Sequence, residues 1–316
     1  MLKYVVRRII ESIPTLIGIS IITFILMHLV PGNPALVMLG SHATQANIAA
    51  LDHQLGLDKP VYVQYLLWAW QLLHGNLGTS FSTNQPVTQM VWQALPHTLS
   101  IVGISTVLAY VIAIVQGMYQ AKNKGSIADN TVTSVGYFLY SMPIYWLGNL
   151  FIIWFAIALP IFPPGGISDP GQSMNFVVWF SHMSLPVIAL TLVTVAFWGR
   201  FMRQSVIDTL VQDYIRTARA KGLSERVVLY RHAFRNSLLP LITLFGFSFG
   251  GLLAGALFTE QVFNYPGMGL LFWQAALHRD YPTVLGTTMI IGITVILGNL
   301  LADLLYAVAD PRIRYN

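Results

Sequence analysis

The stretch RFMRQSVIDTLVQDYIRTARAKGLSERVVLYRHAFR, residues 200–235, decides how this chain is organised. It holds eight of the chain's seventeen lysines and arginines and lies between two long apolar segments. Asp208, Asp213 and Glu225 lie among the basic residues, and the composition is neither repetitive nor rich in glycine and serine. Because basic stretches between hydrophobic spans are typical of the cytoplasmic side of membrane proteins, we expect a folded cytoplasmic loop here.

The composition of the whole chain indicates a polytopic membrane protein. Of the 316 residues, 55% are hydrophobic and 9% are charged, and the mean hydropathy is +0.63. Soluble domains carry roughly 25% charged residues. The chain has no cysteine, which excludes disulfides and thiolate metal sites. Since the basic residues lie in loops between spans, the net charge of +5 is a signal of topology and not of nucleic-acid binding.

Six apolar segments are long enough to cross a bilayer, which takes about 20 residues. They lie at Ile9–Val30, Thr98–Gln120, Thr133–Leu159, Phe180–Met202, Leu238–Thr259 and Thr283–Ala307. With both termini in the cytoplasm, fifteen lysines and arginines lie inside and two, Lys59 and Arg279, lie outside. We therefore predict an all-α fold of six transmembrane helices. Residues 1–30 form the N-terminal tail and first helix, residues 31–97 an extracytoplasmic cap, and residues 98–316 a five-helix core with a cytoplasmic loop at 203–237.

Proline and glycine predict several local features of these segments. In the cap, short helices are expected at Ala46–Leu55, stopped by Gly56, and at Val61–His74. In the third span Pro143 and Gly148 interrupt the apolar pattern, so a kink is expected there.

The cytoplasmic loop has the pattern of two short helices. Val206, Leu210, Tyr214 and Ala218 recur at every fourth position, which predicts one helix with an apolar face. Gly222 is expected to end this helix in the left-handed conformation, and Ser224 to cap a second helix with Glu225 in its first turn. Small residues at the bend, Ala218, Ala220 and Gly222, would let a partner approach the backbone. The pattern alone favours a plain surface connector.

Few residues in the chain have the chemistry of a catalytic or ion-binding site. Asp303 lies in the sixth span one turn after Asn299, and an acid inside a membrane is a candidate pathway residue, although we favour a structural role. The eight histidines are not paired at metal-ligand spacing. Residues 166–173 are a near miss to a phosphate-binding loop, but Gln172 replaces the required lysine. The sequence therefore predicts no catalytic site, metal or cofactor on this chain.

Two strings in the cytoplasmic loop resemble the coupling loop of ABC-importer permeases. They are DYIRTARAKGL at 213–223 and HAFRNSLLP at 232–240. Their sequences are most similar to the B-type subunit of the dipeptide/oligopeptide permease family. The general importer motif begins Glu-Ala-Ala, whereas Arg216-Thr217-Ala218 stands here, so that only Ala218 and Gly222 match it. The family resemblance extends to LGLDKP at 55–60, GNLGTS at 75–80, EQVFNYPGMG at 260–269 and DPRIR at 310–314.

The resemblance implies a type I ABC-importer permease in a bacterial or archaeal cytoplasmic membrane. Its partners would be a second homologous permease, two ATPase subunits that hold ATP and Mg, and an extracytoplasmic substrate-binding protein. Residues 203–237, which we call the coupling loop, would dock on an ATPase. The docking residues implied are Asp213, Tyr214, Arg216, Thr217, Ala218, Arg219, Ala220, Lys221, Gly222 and Leu223.

The resemblance leaves the substrate open. It favours dipeptides or oligopeptides, but similar permeases import nickel chelates, haem, glutathione or sugars. A less favoured alternative of another class is a membrane scaffold or sensor subunit with no transport path.

The topology can be tested with reporter fusions. A reporter fused after Asn84 should be active only outside the cytoplasm, and one fused after Glu225 only inside, because of the fifteen-to-two distribution of basic residues. Measuring both fusions with a periplasmic and a cytoplasmic reporter provides the internal control. The same sidedness at both positions would contradict the six-span arrangement.

Overall fold

The protein is built from α-helices, as the sequence predicts. The computed structural model describes residues 2–29, 32–40 and 43–309. Within these residues the helices are α1 Leu2–Leu29, α2 Pro34–Leu39, α3 Gln45–Leu55, α4 Val61–Leu73, α5 Val87–Lys122, α6 Ile127–Ser141, α7 Ile144–Phe151, α8 Phe176–Leu210, α9 Asp213–Ala220, α10 Glu225–Val227, α11 Phe234–Val262, α12 Met268–Leu277 and α13 Tyr281–Ala309. Two π-helical segments, Ile152–Ala158 and Val228–Ala233, continue α7 and α10.

Local capping sets the ends of the short helices that follow α1. The Asn33 side chain accepts a hydrogen bond from the Ala35 N–H at 2.7 Å, and proline is the first residue of α2, a position that needs no N–H donor. Thr44 caps α3, and Gly56 ends α3 with a φ of +70°. The helices predicted in the cap are therefore confirmed as α3 and α4.

Four helices among the described residues are long and apolar enough to cross a membrane. They lie at Val6–Leu29, Val87–Lys122, Phe176–Leu210 and Tyr281–Leu304, in agreement with the predicted first, second, fourth and sixth spans. The bent pair described below gives a fifth if it is one span. The predicted fifth span, Leu238–Thr259, lies within the 29-residue helix α11. The total of six spans and the location of the termini stay predictions.

The third predicted span is broken at the proline. Helices α6 and Ile144–Ala158 meet at an angle of 103° across Met142 and Pro143. Met142 has extended backbone, φ −74° and ψ 130°, because the proline ring disfavours helical geometry in the residue before it. The kink expected in this span is confirmed at Pro143, whereas Gly148 lies inside α7 and does not interrupt it.

The chain forms two compact units. The first comprises Met1–Thr98 and Pro266–Ile296. Its buried side chains include Phe24, Trp68, Leu285 and Met289. Here the buried carboxylate of Asp280 accepts hydrogen bonds from the Phe81 N–H at 3.0 Å and from the Ser82 hydroxyl at 2.9 Å. The cap residues after α4 are thus tied to the residues just before α13, a pairing that the sequence did not indicate.

The second unit comprises Leu99–Tyr265 and Leu297–Asn316 and contains the coupling loop. Leu185, Ala189 and Phe263 are buried in one of its apolar clusters. The two units are defined by the packing of residues. The predicted boundaries at 30/31 and 97/98 instead separate the extracytoplasmic cap from the membrane helices, and they stay a prediction. The predicted tail motif at 310–314, with two of the basic residues assigned to the cytoplasm, lies outside the described residues.

Candidate functional site

The coupling loop begins as a continuation of the 35-residue helix α8 and then turns sharply. The helix ends at Leu210, and α9 begins at Asp213 after Gln212 has taken an extended backbone, φ −69° and ψ 151°. The predicted single helix from Val206 to Ala218 is therefore wrong. Two interactions stabilise the break. Asp213 places a negative charge at the start of α9, and the Arg219 guanidinium donates to the Leu210 carbonyl oxygen at 3.3 Å.

The left-handed turn predicted at Gly222 is present after α9. Gly222 has a φ of +78°, its N–H donates to the Arg219 carbonyl at 2.9 Å, and the Leu223 N–H donates to the Ala218 carbonyl at 3.3 Å. These two bonds form a Schellman motif, which favours glycine at the left-handed position. A Cβ atom on Gly222 would meet nothing within 4 Å, so this chain leaves the space beside the glycine open.

The second predicted helix differs from the expectation. Ser224 does precede it, but its side chain makes no capping hydrogen bond. The helix has one α-helical turn, Glu225–Val227, then the π-helical segment Val228–Ala233, and continues into α11. The coupling loop therefore returns directly into a long apolar helix and does not contain a separate second helix.

A small apolar core holds the coupling loop together. Ile215, Ala218, Val228 and Ala233 are all buried, with Leu210 packed against them. Ala218 is 5% exposed. The expectation that Ala218 offers its backbone to a partner is thus corrected: it is small because α9 packs closely against the returning π-helical segment.

The other predicted docking residues form an exposed surface. They are Asp213, Tyr214, Arg216, Thr217, Arg219, Ala220, Lys221, Gly222 and Leu223. Arg219 binds Glu225 through two of its nitrogens, at 2.7 and 3.2 Å, and this hydrogen-bonded guanidinium lowers the pKa of the Glu225 carboxyl. Exposed ion pairs of this kind contribute little to the stability of the fold. The charged side chains of this surface are therefore available to contact a docking partner.

Hydrogen bonds anchor this surface to the ends of α8 and α11. The Ser205 hydroxyl donates to the Ser237 carbonyl at 2.9 Å, and the fully buried Ser237 hydroxyl lies 3.0 Å from that of Thr209. The Asn236 amide donates to the Tyr214 hydroxyl at 3.0 Å. Helix α9 is therefore hydrogen-bonded to α11, and α11 is hydrogen-bonded to the end of α8.

A buried ion pair connects α8 to a third helix, and sequence reasoning missed it. Asp129, fully buried in the first turn of α6, accepts from Arg203 Nε and Nη2, both at 2.7 Å. The Gly125 N–H donates to the same carboxylate at 2.9 Å, and Ser126 caps the helix by accepting from the Asp129 N–H. The Ser-x-x-Asp spacing before an apolar run was the available signal for this structured turn.

The remaining predicted site residues lie on α13. Asn299 is exposed and Asp303 is partly buried, one turn further along the helix. Their role in a pathway stays a prediction. Within the described part of the chain, no three His, Asp or Glu side chains form a group that could hold a metal ion.

Two family models match most of the chain. The model described as the inner membrane component of binding-protein-dependent transport systems matches residues 109–315. The model of the N-terminal part of such membrane components matches residues 1–102. The two matched ranges together include all the helices described above except the centre of α5.

This chain is similar over its full length to proteins that are named for peptide transport. The chain is 39% identical over 316 residues to the oligopeptide transport system permease protein AppB of Bacillus subtilis, covering all of both chains. It is 38% identical over 337 residues to the dipeptide transport system permease protein DppB of Escherichia coli, covering 100% of this chain and 99% of that one. It is also 37% identical over its full length to a putative peptide transport system permease of Brucella abortus.

Solved structures support the fold. Two inward-facing crystal forms of the MetNI methionine ABC transporter match with TM-scores of 0.57 and 0.55. Each match has 16% sequence identity and covers 70% of this chain and 97% of the other. At this identity the likeness concerns the fold alone.

The Asp129–Arg203 pair can be tested by exchange of its charges. Asp129→Asn or Arg203→Gln should lower the stability of the protein by roughly 3 kcal/mol, because either change leaves a buried polar group without its partner. The double change Asp129→Arg with Arg203→Asp should recover part of the loss. Thermal unfolding of the purified protein in detergent measures both effects.

Arg216→Gln is the matched control, since it breaks the exposed contact to Asp213 at 3.4 Å and should change the melting temperature little. Equal destabilisation by Arg216→Gln and Arg203→Gln would contradict a special role for the buried pair.

Proposed function

This chain belongs to the family of binding-protein-dependent transport system inner membrane components, and we propose that it forms half of the translocation pathway of a peptide importer. It is a permease subunit, and ATP hydrolysis in such transporters is performed by separate ATPase subunits. The observation that carries the proposal is the coupling loop: an exposed basic surface on α9 that is anchored by its own apolar core to two long helices.

The partners follow from this role. A second homologous permease would complete the pathway, two ATPase subunits would bind ATP and Mg and receive the coupling loops, and an extracytoplasmic binding protein would deliver the substrate. The membrane is the cytoplasmic membrane of a bacterium or archaeon. Lipid is the only other partner expected, and no nucleic acid is involved.

Peptides are favoured as the substrate because the similar full-length proteins are named for dipeptide, oligopeptide or peptide transport. Nickel chelates, haem, glutathione and sugars remain alternatives for the same permease role. A scaffold or sensor subunit without a pathway is less favoured, because the similar full-length proteins are named as permeases of transport systems.

Transport by the complete system tests the proposed function. Proteoliposomes that contain this chain, the second permease, both ATPases and the cognate binding protein should take up labelled dipeptides or oligopeptides only when ATP is supplied on the ATPase side. Omission of this chain is the control. Uptake of a sugar or metal chelate, with peptides excluded, would overturn the substrate assignment, and ATP hydrolysis without uptake of any solute would favour the scaffold alternative.

Docking through the coupling loop is tested by Gly222→Glu. A side chain at this left-handed position costs roughly 1 kcal/mol, which six membrane spans should tolerate, but the added group would occupy the space where an ATPase is proposed to lie. Uptake should fall at least tenfold while the amount of protein in the membrane stays near normal.

Gly171→Glu is a closely matched control. Gly171 has a φ of +80°, and a Cβ there also meets nothing within 4 Å, but it lies in the loop predicted to be outside. The backbone strain is therefore similar, and Gly171→Glu should retain uptake. Normal uptake by Gly222→Glu, or an equal loss in both variants, would contradict docking at Gly222.

A further inference from the structure

A groove between α5, α6 and α8 is not explained by docking to an ATPase. It has a volume of about 370 Å³. Its polar and aromatic lining is formed by Gln116, Thr133, Tyr137, Tyr140, Arg200 and Gln204. Close helix packing forms its floor: the buried amide of Gln120 donates to the Thr133 hydroxyl at 3.0 Å.

Arg200 gives the groove a positive charge. Its guanidinium lies over the rings of Tyr137 at 5.6 Å, Tyr140 at 5.9 Å and Phe201 at 5.5 Å. Among the described residues no carboxylate forms an ion pair with Arg200. The neighbouring Arg203, in contrast, is neutralised by Asp129. Asp208, eight residues further along α8, is held by the Gln204 amide at 2.8 Å. The groove therefore has one uncompensated cation.

The position of Arg200 along α8 suits the membrane surface. It lies two residues before the cytoplasmic end of the predicted fourth span, Phe180–Met202, so this step rests on the proposed orientation of the chain. Tyrosine side chains favour the boundary between lipid and water. Basic pockets between transmembrane helices at the cytoplasmic side bind the head groups of anionic lipids.

We propose that this groove binds a phosphate group, supplied by an anionic phospholipid of the cytoplasmic leaflet. The Arg200 guanidinium would bind the phosphate oxygens, and the rings of Tyr137 and Tyr140 would hold the guanidinium in place by cation–π contact. The hydroxyl groups of both tyrosines can donate further hydrogen bonds to the ligand. The same chemistry would accept free inorganic phosphate, so the test must separate the two sources.

The Asp129–Arg203 ion pair connects the proposed lipid site to the coupling loop through α8. Arg203 lines the groove and joins α8 to α6, and α8 leads into the coupling loop. A bound lipid would therefore contact helices that move together with the docking surface. The site is read out by lipid binding and not by uptake, so its failure can be distinguished from a failure of the proposed function.

The experiment uses the full-length chain purified with its partner subunits. Bound lipids are counted by native mass spectrometry after exchange into phosphatidylglycerol or phosphatidylethanolamine, with and without inorganic phosphate. We expect phosphatidylglycerol to be retained in preference to phosphatidylethanolamine, and Arg200→Gln to weaken its retention about fivefold. Lys124→Gln, which removes one charge from the adjacent exposed loop, is the control and should retain the lipid.

The ring contact is tested by two substitutions of one residue. Tyr137→Phe keeps the ring and should retain most of the binding, whereas Tyr137→Leu removes the ring and should weaken it.

Loss of phosphatidylglycerol on addition of millimolar phosphate would assign the same site to the free anion. Equal retention of the two lipids, with no effect of phosphate, would overturn the proposal. Equal retention of phosphatidylglycerol by Arg200→Gln and by the unsubstituted chain would also overturn the proposal. So would a structure of the assembled transporter in which the second permease covers the groove.

Discussion

The packing of Ile215 and Ala218 against Val228 and Ala233 is the interaction on which the coupling loop depends. An isolated eight-residue helix such as α9 has no stable fold in water, because the few hydrogen bonds it closes do not offset the entropy of forming it. Burial of one isoleucine side chain contributes about 2 kcal/mol, which is of the size needed to order such a segment. The shape of the exposed surface is therefore determined by the four buried apolar side chains of this core and not by the charged side chains on the surface.

In the proposed role, this core makes the docking surface continuous with α8 and with the helical segment that leads into α11. The Ser205–Ser237 contact joins α8 to α11, and the Asp129–Arg203 pair joins α8 to α6. Helix α5 also approaches α8 closely: a Cβ on Gly117 would lie 2.8 Å from the Arg203 backbone nitrogen. In the proposed importer, a displacement of α9 by an ATPase would reach α8, α11, α6 and α5 through these contacts.

The sequence predicted those features that depend on one residue or on a long pattern. Hydropathy located the long helices, Pro143 located the break in the third span, and Gly222 located the left-handed turn. It did not predict features that depend on contacts between distant segments. The apolar spacing from Val206 to Ala218 fits one straight helix, and only the Arg219 contact to the end of α8 and the core with Val228 favour two. Ala218 looked open because small size is compatible with either burial or exposure. The ion pair of Asp129 with Arg203 was not predicted, because the two residues lie 74 positions apart in the sequence.

In the proposed importer, the exposed side of α9, and not its buried side, meets an ATPase subunit. Since the chain has no cysteine, single cysteines can report on each side of the helix. Ala220→Cys and Ala218→Cys are matched in chemistry and lie on the same helix, one exposed and one buried. After labelling of the assembled transporter with a thiol-linked photoreactive crosslinker, Ala220→Cys should form an adduct with the ATPase and Ala218→Cys should form little. Equal adducts from both positions, or none from Ala220→Cys in a transporter that remains active, would contradict docking through the exposed side of α9.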